Sequence, residues 1–349
     1  MRKNAVMGSS LERHSRSLLF PGIGEEGQRR IGAFSIVFVG VGAVGAAAAE
    51  SAARAGVGRL TLVDRDVVEE SNLSRQFLFA AEDAARVAPK AEAAAERILA
   101  ISPGVAVRGI VADLDRGNAR EILAGHDLVF DGSDNFETRL LVSDTARSLG
   151  LPSIYAACVG EEGLVAASVP GKTPCLRCFV EALPPAGSGP TCDTTGIVPT
   201  LPLLVAAAGM TEALRLAVGK PPARGVLSLK VWETGPTSRR FFEEALPSAA
   251  CPVCRGERFP ALEGQDASEV VKLCGRNSVQ VAPAGRQRPD FEALEARLSR
   301  VARVRRSPQL LSADLDGVSL SIFADGRCVV RGTADPGRAR ALYERYMGS

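Results

Sequence analysis

A glycine-rich turn between an apolar run and an alanine-rich stretch constrains the fold of this chain more than any other feature. The run Ser35–Val39 (SIVFV) predicts a buried strand, GVGAVG follows at residues 40–45, and residues 46–55 predict a helix. A second apolar run, Arg59–Asp64 (RLTLVD), ends this unit about 30 residues after its start. Strand, tight turn, helix and strand in this order predict parallel strands joined by a crossover helix.

The same alternation continues along the chain. Further helices are expected over residues 90–100 and 119–123, and further strands over residues 105–111 and 127–131. This repetition predicts an α/β fold, in which a Rossmann-like, mostly parallel sheet carries helices on both faces. After Pro260 the pattern changes to helix, strand, Asp-Gly turn, strand and helix, which predicts a small α+β domain. We therefore expect two domains, residues 1–259 and residues 260–349.

The charge balance argues against some classes of partner. The 349 residues carry 42 Lys and Arg against 40 Asp and Glu, a net charge of +2, so neither nucleic acid nor membrane is expected as a partner. A short basic run at residues 300–307 is expected to be a solvated face at a helix end. The most apolar stretch, residues 197–218, is interrupted by prolines and charged residues, and it predicts a buried helix rather than a membrane span.

Residues 1–24 lack the apolar core of a secretory signal, and a cytoplasmic protein is expected. In a reducing compartment, the eight cysteines point to metal binding or catalysis before disulfides.

The glycines of the turn indicate a nucleotide. Gly40, Gly42 and Gly45 let the backbone approach a phosphate at the helix N-terminus. Asp64 ends the next strand, where a carboxylate accepts hydrogen bonds from a ribose. This pattern alone is typical of an NAD(P)-dependent oxidoreductase, which stays open as an alternative. A tight turn without a ligand is disfavoured, because a strand and a helix flank the turn in the order that a nucleotide site requires.

The residues after Asp64 favour a triphosphate instead. The segment VDRDVVEESNLSRQF brings Asn72, Arg75 and Gln76, and Lys90 follows. Cationic side chains are needed where phosphate charge redistributes during a reaction. The segment DGSDN then places Asp131 and Asp134 after another strand, and an aspartate at the C-terminal end of a parallel strand is suited to hold Mg²⁺.

Together these segments resemble the ubiquitin-activating-enzyme-like (E1-like) superfamily, in its bacterial molybdopterin-synthase and thiamine-biosynthesis adenylyltransferase branch. The resemblance covers roughly residues 12–255 and rests on RHSRSLLFPGIGEEGQRRI, GVGAVG, LVDRDVVEESNLSRQ, DGSDN, CLRC, TCDTTGIVPTLP and CPVC. It implies an adenylyltransferase that uses ATP and Mg²⁺ to convert the C-terminal Gly-Gly carboxylate of a small β-grasp, ubiquitin-like sulfur carrier into an acyl-adenylate. A sulfurtransferase or persulfide donor is a further expected partner.

The resemblance also implies roles for single residues. Arg75 and Lys90 would contact the phosphates and Asp134 would hold Mg²⁺, while Arg16 would reach into the partner's site of a homodimer. The implied nucleotide-binding set comprises Gly40, Gly42, Gly45, Asp64, Asp66, Asn72, Arg75, Gln76, Lys90, Asp134 and Asn135. His14 and Ser17 depart from the Tyr and Gln that are common in the family around Arg16, and this departure concerns only the dimer contact.

Five of the eight cysteines have expected functional roles. Two CxxC pairs supply four thiolates, enough for a closed, structural zinc site, although one pair alone is also compatible with redox chemistry. The four predicted ligands are Cys175, Cys178, Cys251 and Cys254. Cys192 stands apart in PTCDTTG, where some superfamily members carry an acyl-accepting or persulfide-exchanging cysteine, and a bystander role is the alternative.

Other functions stay open beside the sulfur carrier. The same chemistry on a peptide or small-molecule carboxylate is the nearest alternative, and a non-catalytic, scaffolding family member is another. Residues 261–349 lack the loop of a fused rhodanese, and no chemistry is predicted for them.

Overall fold

In a computed structural model of the chain, the described residues are 12–179, 195–233, 235–264, 272–273, 278–281, 289–315 and 317–347. The chain divides into two compact units, of which the first comprises Met1–Ala182 with Ile197–Asp266 and the second comprises Leu183–Gly196 with Ala267–Ser349.

An eight-stranded sheet forms the centre of the first unit. Its order is β3-β2-β1-β4-β5-β6-β7-β8, parallel from β3 to β5 and antiparallel from β5 to β8. The strands are β1 Ser35–Val39, β2 Arg59–Asp64, β3 Ala106–Val111, β4 Leu128–Asp131, β5 Ser153–Val159, β6 Glu162–Ser168, β7 Val226–Lys230 and β8 Thr237–Phe241. The parallel strands β2, β1 and β4 are neighbours, so the loops that follow them meet at one edge of the sheet.

Helices cover both faces of this sheet, as the alternation predicted. They are α1 Ser15–Leu18, α2 Gly24–Ala33, α3 Ala43–Ala55, α4 Ala81–Ala85, α5 Lys90–Ile101, α6 Ala119–Leu123, α7 Phe136–Ser148, α8 Leu201–Ala217 and α9 Pro252–Arg255, with short 3-10 turns at Glu70–Asn72 and Leu176–Cys178. Apolar residues of α3, α5 and α8 pack on one face, and those of α6 and α7 pack on the other.

The central strand explains this two-sided core. All five residues of β1 are buried, with Ile36 and Phe38 in one cluster and Val37 and Val39 in the other. Such a continuous apolar run is what a parallel strand buried on both faces requires.

The predicted buried helix near residues 197–218 is α8. It starts at Leu201, with proline in its first turn, and buries its apolar residues in the core. Among the described residues, no helix is long and apolar enough to cross a bilayer.

The second unit is a small α+β structure, as expected. Its antiparallel sheet has the order β11-β12-β13-β14-β10-β9. The elements are β9 Lys272–Leu273, β10 Ser278–Val281, α10 Phe291–Leu298, β11 Arg303–Arg306, β12 Leu310–Leu315, β13 Val318–Phe323, β14 Cys328–Arg331 and α11 Pro336–Met347. Apolar residues of both helices pack with one face of this sheet.

The prediction for the basic run at residues 300–307 was wrong in its secondary structure. Residues 303–306 form the edge strand β11, because they pair with β12. Arg305 bonds to Asp314 at 2.8 Å and Arg306 to Glu295 at 3.2 Å, so the basic charge of the strand is partly neutralised within its own unit.

Candidate active site

The turn after β1 owes its shape to two glycines. Gly40 has φ +82°, and a side chain there would begin 2.8 Å from the Gly132 carbonyl oxygen. A Cβ on Gly45 would stand 1.8 Å from the carbonyl oxygen of Gly40. The absent side chains therefore let the turn, the start of α3 and the loop after β4 pack directly against one another.

Gly42 differs, because its missing side chain leaves open space. It precedes α3 without a side-chain cap, and a Cβ there would meet only the Gln76 Nε2 atom, at 4.0 Å. Gln76 is itself buried, and its Oε1 atom has no hydrogen-bond partner among the described residues. An uncapped helix N-terminus beside an unsatisfied amide suits a polar, anionic ligand such as a phosphate.

Asp64 and Lys90 lie buried beside this turn. The Asp64 carboxylate accepts hydrogen bonds from the backbone N–H groups of Val41 and Asp66, both at 2.7 Å. Burial raises the pKa of Asp64, and the nearby Lys90 ammonium opposes that rise. Lys90 Nζ lies 3.5 Å from Asp66 Oδ2, and the Lys90 backbone N–H donates to the Asp66 carbonyl. The lysine is thus held beside the end of β2, with donors to spare for a phosphate.

Hydrogen bonds within the segment that follows β2 stabilise its turn. Asn72 is fully buried, and its side-chain oxygen accepts a hydrogen bond from the Glu69 N–H at 3.1 Å. Arg75 is half-buried and donates to the Ser71 carbonyl at 2.9 Å. These contacts give Asn72 a local structural role, and they hold the Arg75 guanidinium beside the Ser71 carbonyl.

Three polar residues shape the loop after β4. The buried Asp131 accepts hydrogen bonds from the Ser133 N–H and hydroxyl, at 3.0 and 2.6 Å, and burial raises its pKa. Asn135 caps α7 by accepting from the Thr138 N–H at 2.8 Å. Asp134 stands between them and is exposed. The arrangement leaves Asp134 as the carboxylate of this loop that is most accessible to a ligand.

Two arginines at this edge of the sheet were not predicted as site residues from the sequence. The Arg65 guanidinium is 3.1 Å from Asp113, and the carboxylates of Asp113, Asp66, Asp134 and Asp64 raise its pKa despite burial. Its proximity to all four shows that the loops after β2, β3 and β4 converge. Arg65 stands inside the VDRD segment, next to Asp64, and this position was the available signal.

Arg139, on the first turns of α7, is the second. It donates to the Ser133 carbonyl at 2.8 and 3.2 Å and to the Tyr155 hydroxyl at 3.2 Å, and it packs over the Phe136 and Tyr155 rings. It follows Asn135 by one helical turn, but only the helix direction shows that it returns to the loop.

A cavity of about 260 Å³ opens beside Asp131 and Arg139. Its remaining walls are mainly apolar and come from α7, the antiparallel strands and the Cys175–Cys178 segment: Phe136, Val142, Ser143, Ser153, Tyr155, Leu164, Ala166, Ser168, Pro174, Leu176, Phe179, Val226, Phe241 and Phe242. A charged end and apolar walls suit a chain segment that ends in a polar group.

The structure brings the two CxxC pairs together. The Sγ atoms of Cys175, Cys178, Cys251 and Cys254 all lie within 4.8 Å of one another, with separations of 3.8, 3.6 and 3.5 Å for three of the pairs. Four sulfurs about 2.3 Å from one tetrahedral metal would be about 3.8 Å apart. A hydrogen bond between Cys175 and Cys254 raises the pKa of the first thiol and lowers that of the second to about 5. This donor set fits a metal ion.

One predicted site residue lies elsewhere. Arg16 is exposed on α1 and, among the described residues, makes no hydrogen bond or ion pair. Beside it, Leu19 and Phe20 are 74% and 61% exposed. Cys192 lies outside the described residues.

The chain is similar to proteins of known activity. It matches the ThiF family over residues 14–253. It is 40% identical over 337 residues to the sulfur carrier protein ThiS adenylyltransferase of Bacillus subtilis, covering 96% of this chain and 99% of that protein. It is 39% identical to the sulfur carrier protein adenylyltransferase of Thermus thermophilus, covering 71% and 92%.

The fold is shared with solved structures. The crystal structure of E. coli MccB with ATP gives a TM-score of 0.55 at 20% identity, covering 66% of this chain and 68% of that one. With such a fold, and with a family match that spans most of its length, this chain belongs to the ThiF family.

Proposed function

We propose that this chain is an adenylyltransferase that uses ATP to activate the C-terminal carboxylate of a ubiquitin-like sulfur carrier. One observation carries the proposal: an uncapped helix N-terminus, a buried lysine and an exposed aspartate follow neighbouring strands in a chain 40% identical to a ThiS adenylyltransferase over 96% of its length. The carrier is expected to be a small β-grasp protein with a Gly-Gly tail.

ATP would lie across the C-terminal ends of β2, β1 and β4. Its phosphates would rest on the backbone at Gly42, with Lys90 and Arg75 as counter-charges. Asp64 would accept hydrogen bonds from the ribose. Gly40 and Gly45 would keep the turn tight, and Asp66, Asn72, Gln76 and Asn135 would complete the site mainly by holding these groups in place.

Asp134 is the proposed Mg²⁺ ligand. It is an exposed carboxylate at the end of a parallel strand, and carboxylate oxygen is a ligand that Mg²⁺ prefers. When bound, Mg²⁺ would neutralise charge on the phosphates. Arg139 would position Asp134 through its two hydrogen bonds to the neighbouring Ser133 carbonyl.

The reaction needs no general base, because the carrier's carboxylate is already ionised at neutral pH. One carboxylate oxygen attacks the α-phosphorus, the bond to the bridging oxygen breaks, and the products are acyl-AMP and pyrophosphate. The residues of the site contribute positioning and charge neutralisation. The cavity beside Asp131 and Arg139 would receive the tail of the carrier, since its walls are mainly apolar and charged side chains lie at one end.

The functional unit is proposed to be a homodimer. Arg16 is exposed beside the apolar Leu19 and Phe20, and this combination suits a charge that reaches into a partner through an apolar contact. There Arg16 would act on the phosphates in trans.

The cysteine cluster is proposed to hold one zinc ion per chain. Four thiolates close a tetrahedral site and leave no position for water, so the ion would be structural. Cys192 is proposed to take part in the later sulfur transfer, with a sulfurtransferase or persulfide as the donor. The alternative of an NAD(P)-dependent oxidoreductase is set aside, because both relatives described above are named as adenylyltransferases.

Pyrophosphate exchange tests the proposal. With Mg²⁺, ATP and a ThiS-type carrier, the wild-type chain should exchange labelled pyrophosphate into ATP, and the carrier without its two terminal glycines should not support exchange. Asp134→Ala should lose at least about 100-fold in rate, since one electrostatic contact at a reacting phosphate is of this order. Glu121→Ala, which removes an exposed acid on α6, should remain active. A folded Asp134→Ala variant with the wild-type rate would contradict the assignment.

A further inference from the structure

Helix α7 connects the candidate active site with the cysteine cluster. Its N-terminal end follows Asp134 after the capping residue Asn135, and it carries Arg139, which donates hydrogen bonds to the Ser133 carbonyl. Ten residues after Asp134, on the same helix, Asp144 lies against the Cys175–Cys178 segment. From Phe136, the first residue of α7, to Asp144 is eight residues, so at 1.5 Å of rise per residue these two positions are about 12 Å apart along one continuous helix.

The contact at the second end is an enclosed ion pair. Asp144 has no exposed surface, and its two carboxylate oxygens bind the Arg177 guanidinium at 3.0, 3.2 and 2.9 Å. Arg177 stands between two of the clustered cysteines, Cys175 and Cys178. Asp144 also accepts a hydrogen bond from the Ala261 N–H at 2.9 Å, in the segment that follows the other cysteine pair. One carboxylate therefore holds segments adjoining both halves of the cluster.

Neighbouring residues on the same helix strengthen this attachment. The Ser143 hydroxyl accepts a hydrogen bond from the Leu176 N–H at 3.4 Å. Arg147 is buried and donates to the Ser168 hydroxyl at 2.9 Å and to the Thr173 carbonyl at 2.5 Å. A helix bonded so closely at one end cannot shift there without moving its other end, because packed helices move as rigid bodies.

We propose that Asp144 is a positioning residue that couples a metal ion at the cysteine cluster to Mg·ATP binding at Asp134, with α7 as the connecting element. The inference rests on the proposed function. Closure of the cluster by a metal fixes the Cys175–Cys178 segment, Arg177 transmits that constraint to Asp144, and α7 then presents Asp134 in one position. Coupling between two sites is reciprocal, so bound Mg·ATP also strengthens retention of the metal.

The test measures both directions of the coupling on the full chain. The affinity for Mg·ATP alone is measured by calorimetry with zinc-loaded and zinc-stripped protein, and the affinity for zinc is measured by competition with a chromogenic chelator, with and without Mg·ATP. In the wild type, each ligand should tighten the other by the same factor, about fivefold or more. In Asp144→Asn, both factors should fall to about one, and zinc affinity should fall by about tenfold or more, as for other groups that orient metal ligands.

The matched control is Glu212→Gln. Glu212 is also a buried carboxylate that binds arginine and a backbone N–H, with Arg240 at 3.2 Å and Ala223 N at 3.2 Å, but it lies on α8, which packs on the opposite face of the sheet from α7. Its substitution should lower stability and leave the coupling factor at the wild-type value. Arg177→Lys, which keeps the charge and loses the two-point contact, should reduce the coupling factor even if Asp144→Asn fails to fold.

Three outcomes would overturn the proposal. The first is equal Mg·ATP affinity in loaded and stripped wild type that still exchanges pyrophosphate, which leaves the proposed function intact. The second is wild-type coupling in folded Asp144→Asn or in Arg177→Lys. The third is a wild type that binds no Mg·ATP, which would overturn both this inference and the proposed function.

Discussion

At the scale of single residues, the glycines of the turn after β1 have different physical tasks. Gly45 is required for packing, since a Cβ would fall 1.8 Å from the Gly40 carbonyl oxygen. Gly42 faces open space near Gln76, and its φ of −85° lies outside the left-handed region that favours glycine. The sequence alone shows three equivalent glycines, and only the structure separates the structural position from the one that would contact phosphate.

This difference predicts opposite phenotypes for two similar variants. Gly45→Ala should destabilise the chain by about 3 kcal/mol or more, because backbone must move to admit the methyl group. Gly42→Ala should cost less than about 1 kcal/mol in stability and raise the KM for ATP about tenfold or more, because the methyl group occupies the phosphate position. Urea denaturation and exchange kinetics distinguish them. Equal stability of the two variants would contradict the packing argument.

His126 gives the stability a pH dependence. Its ring contacts the Thr61 hydroxyl at 2.8 Å and the Leu123 carbonyl at 3.1 Å, and burial lowers its pKa in the folded chain. As pH falls below about 6.5, the unfolded chain takes up a proton that the folded chain does not, so stability is lost with acidification. The slope for one such group is at most about 1.4 kcal/mol per pH unit.

Urea midpoints between pH 7.5 and pH 5.5 measure this slope. His126→Gln should reduce it to the share of His14, whose pKa burial also lowers, whereas Thr61→Val, which keeps the buried imidazole, should retain it. A His126→Gln variant with the full wild-type slope would assign the acid sensitivity to other groups.

At the scale of elements, the predicted and observed structures agree where patterns are periodic. The strands β1 and β2 and the helix α6 have the predicted bounds, and α5 differs from its prediction by one residue. The prediction for the basic run was wrong because its charges suggested a helix end. Its pairing partner β12 begins seven residues after the start of β11, and the pattern within the run does not show that pairing. Strand pairing is a tertiary property.

The cysteine cluster joins two distant elements, the turn Leu176–Cys178 and α9. Cys254→Ser should leave three thiolates and lower zinc content well below one per chain, with a fall in melting temperature, since bound metal stabilises only the folded state. The chemical step should be affected only through binding, so kcat at saturating Mg·ATP should stay within about threefold of wild type. Metal analysis and thermal denaturation under reducing conditions check this. A variant that keeps full zinc content would remove Cys254 from the ligand set.

At the scale of the whole molecule, the proposed dimer makes the sharpest prediction. Arg16→Ala and Lys90→Met should each be nearly inactive as homodimers, and a mixture allowed to exchange subunits should recover activity. One site of each heterodimer then has both residues intact, and about half of a statistical mixture is heterodimer, so about a quarter of wild-type activity is expected.

A mixture of each variant with Asp134→Ala is the control for subunit exchange. Lys90→Met with Asp134→Ala should not recover, because both residues serve the site of their own subunit. An active monomer, or stable heterodimers that do not recover activity, would show that Arg16 does not act in the partner's site.

The sequence by itself determined the layered α/β fold, the family, and the placement of residues that depends on local order along the chain. Strand, glycine turn and helix are adjacent in sequence, so the placement of Gly42 at the turn and of Asp64 at the end of the next strand could be predicted, and the two CxxC pairs predicted the cluster of four cysteines. Only the tertiary structure showed that Arg65 and Arg139 converge on the same edge, and that Asp144 holds Arg177 beside the cluster. These contacts join segments that are distant in sequence or depend on helix direction, and their geometry is set by packing of the whole sheet, which a linear pattern does not encode.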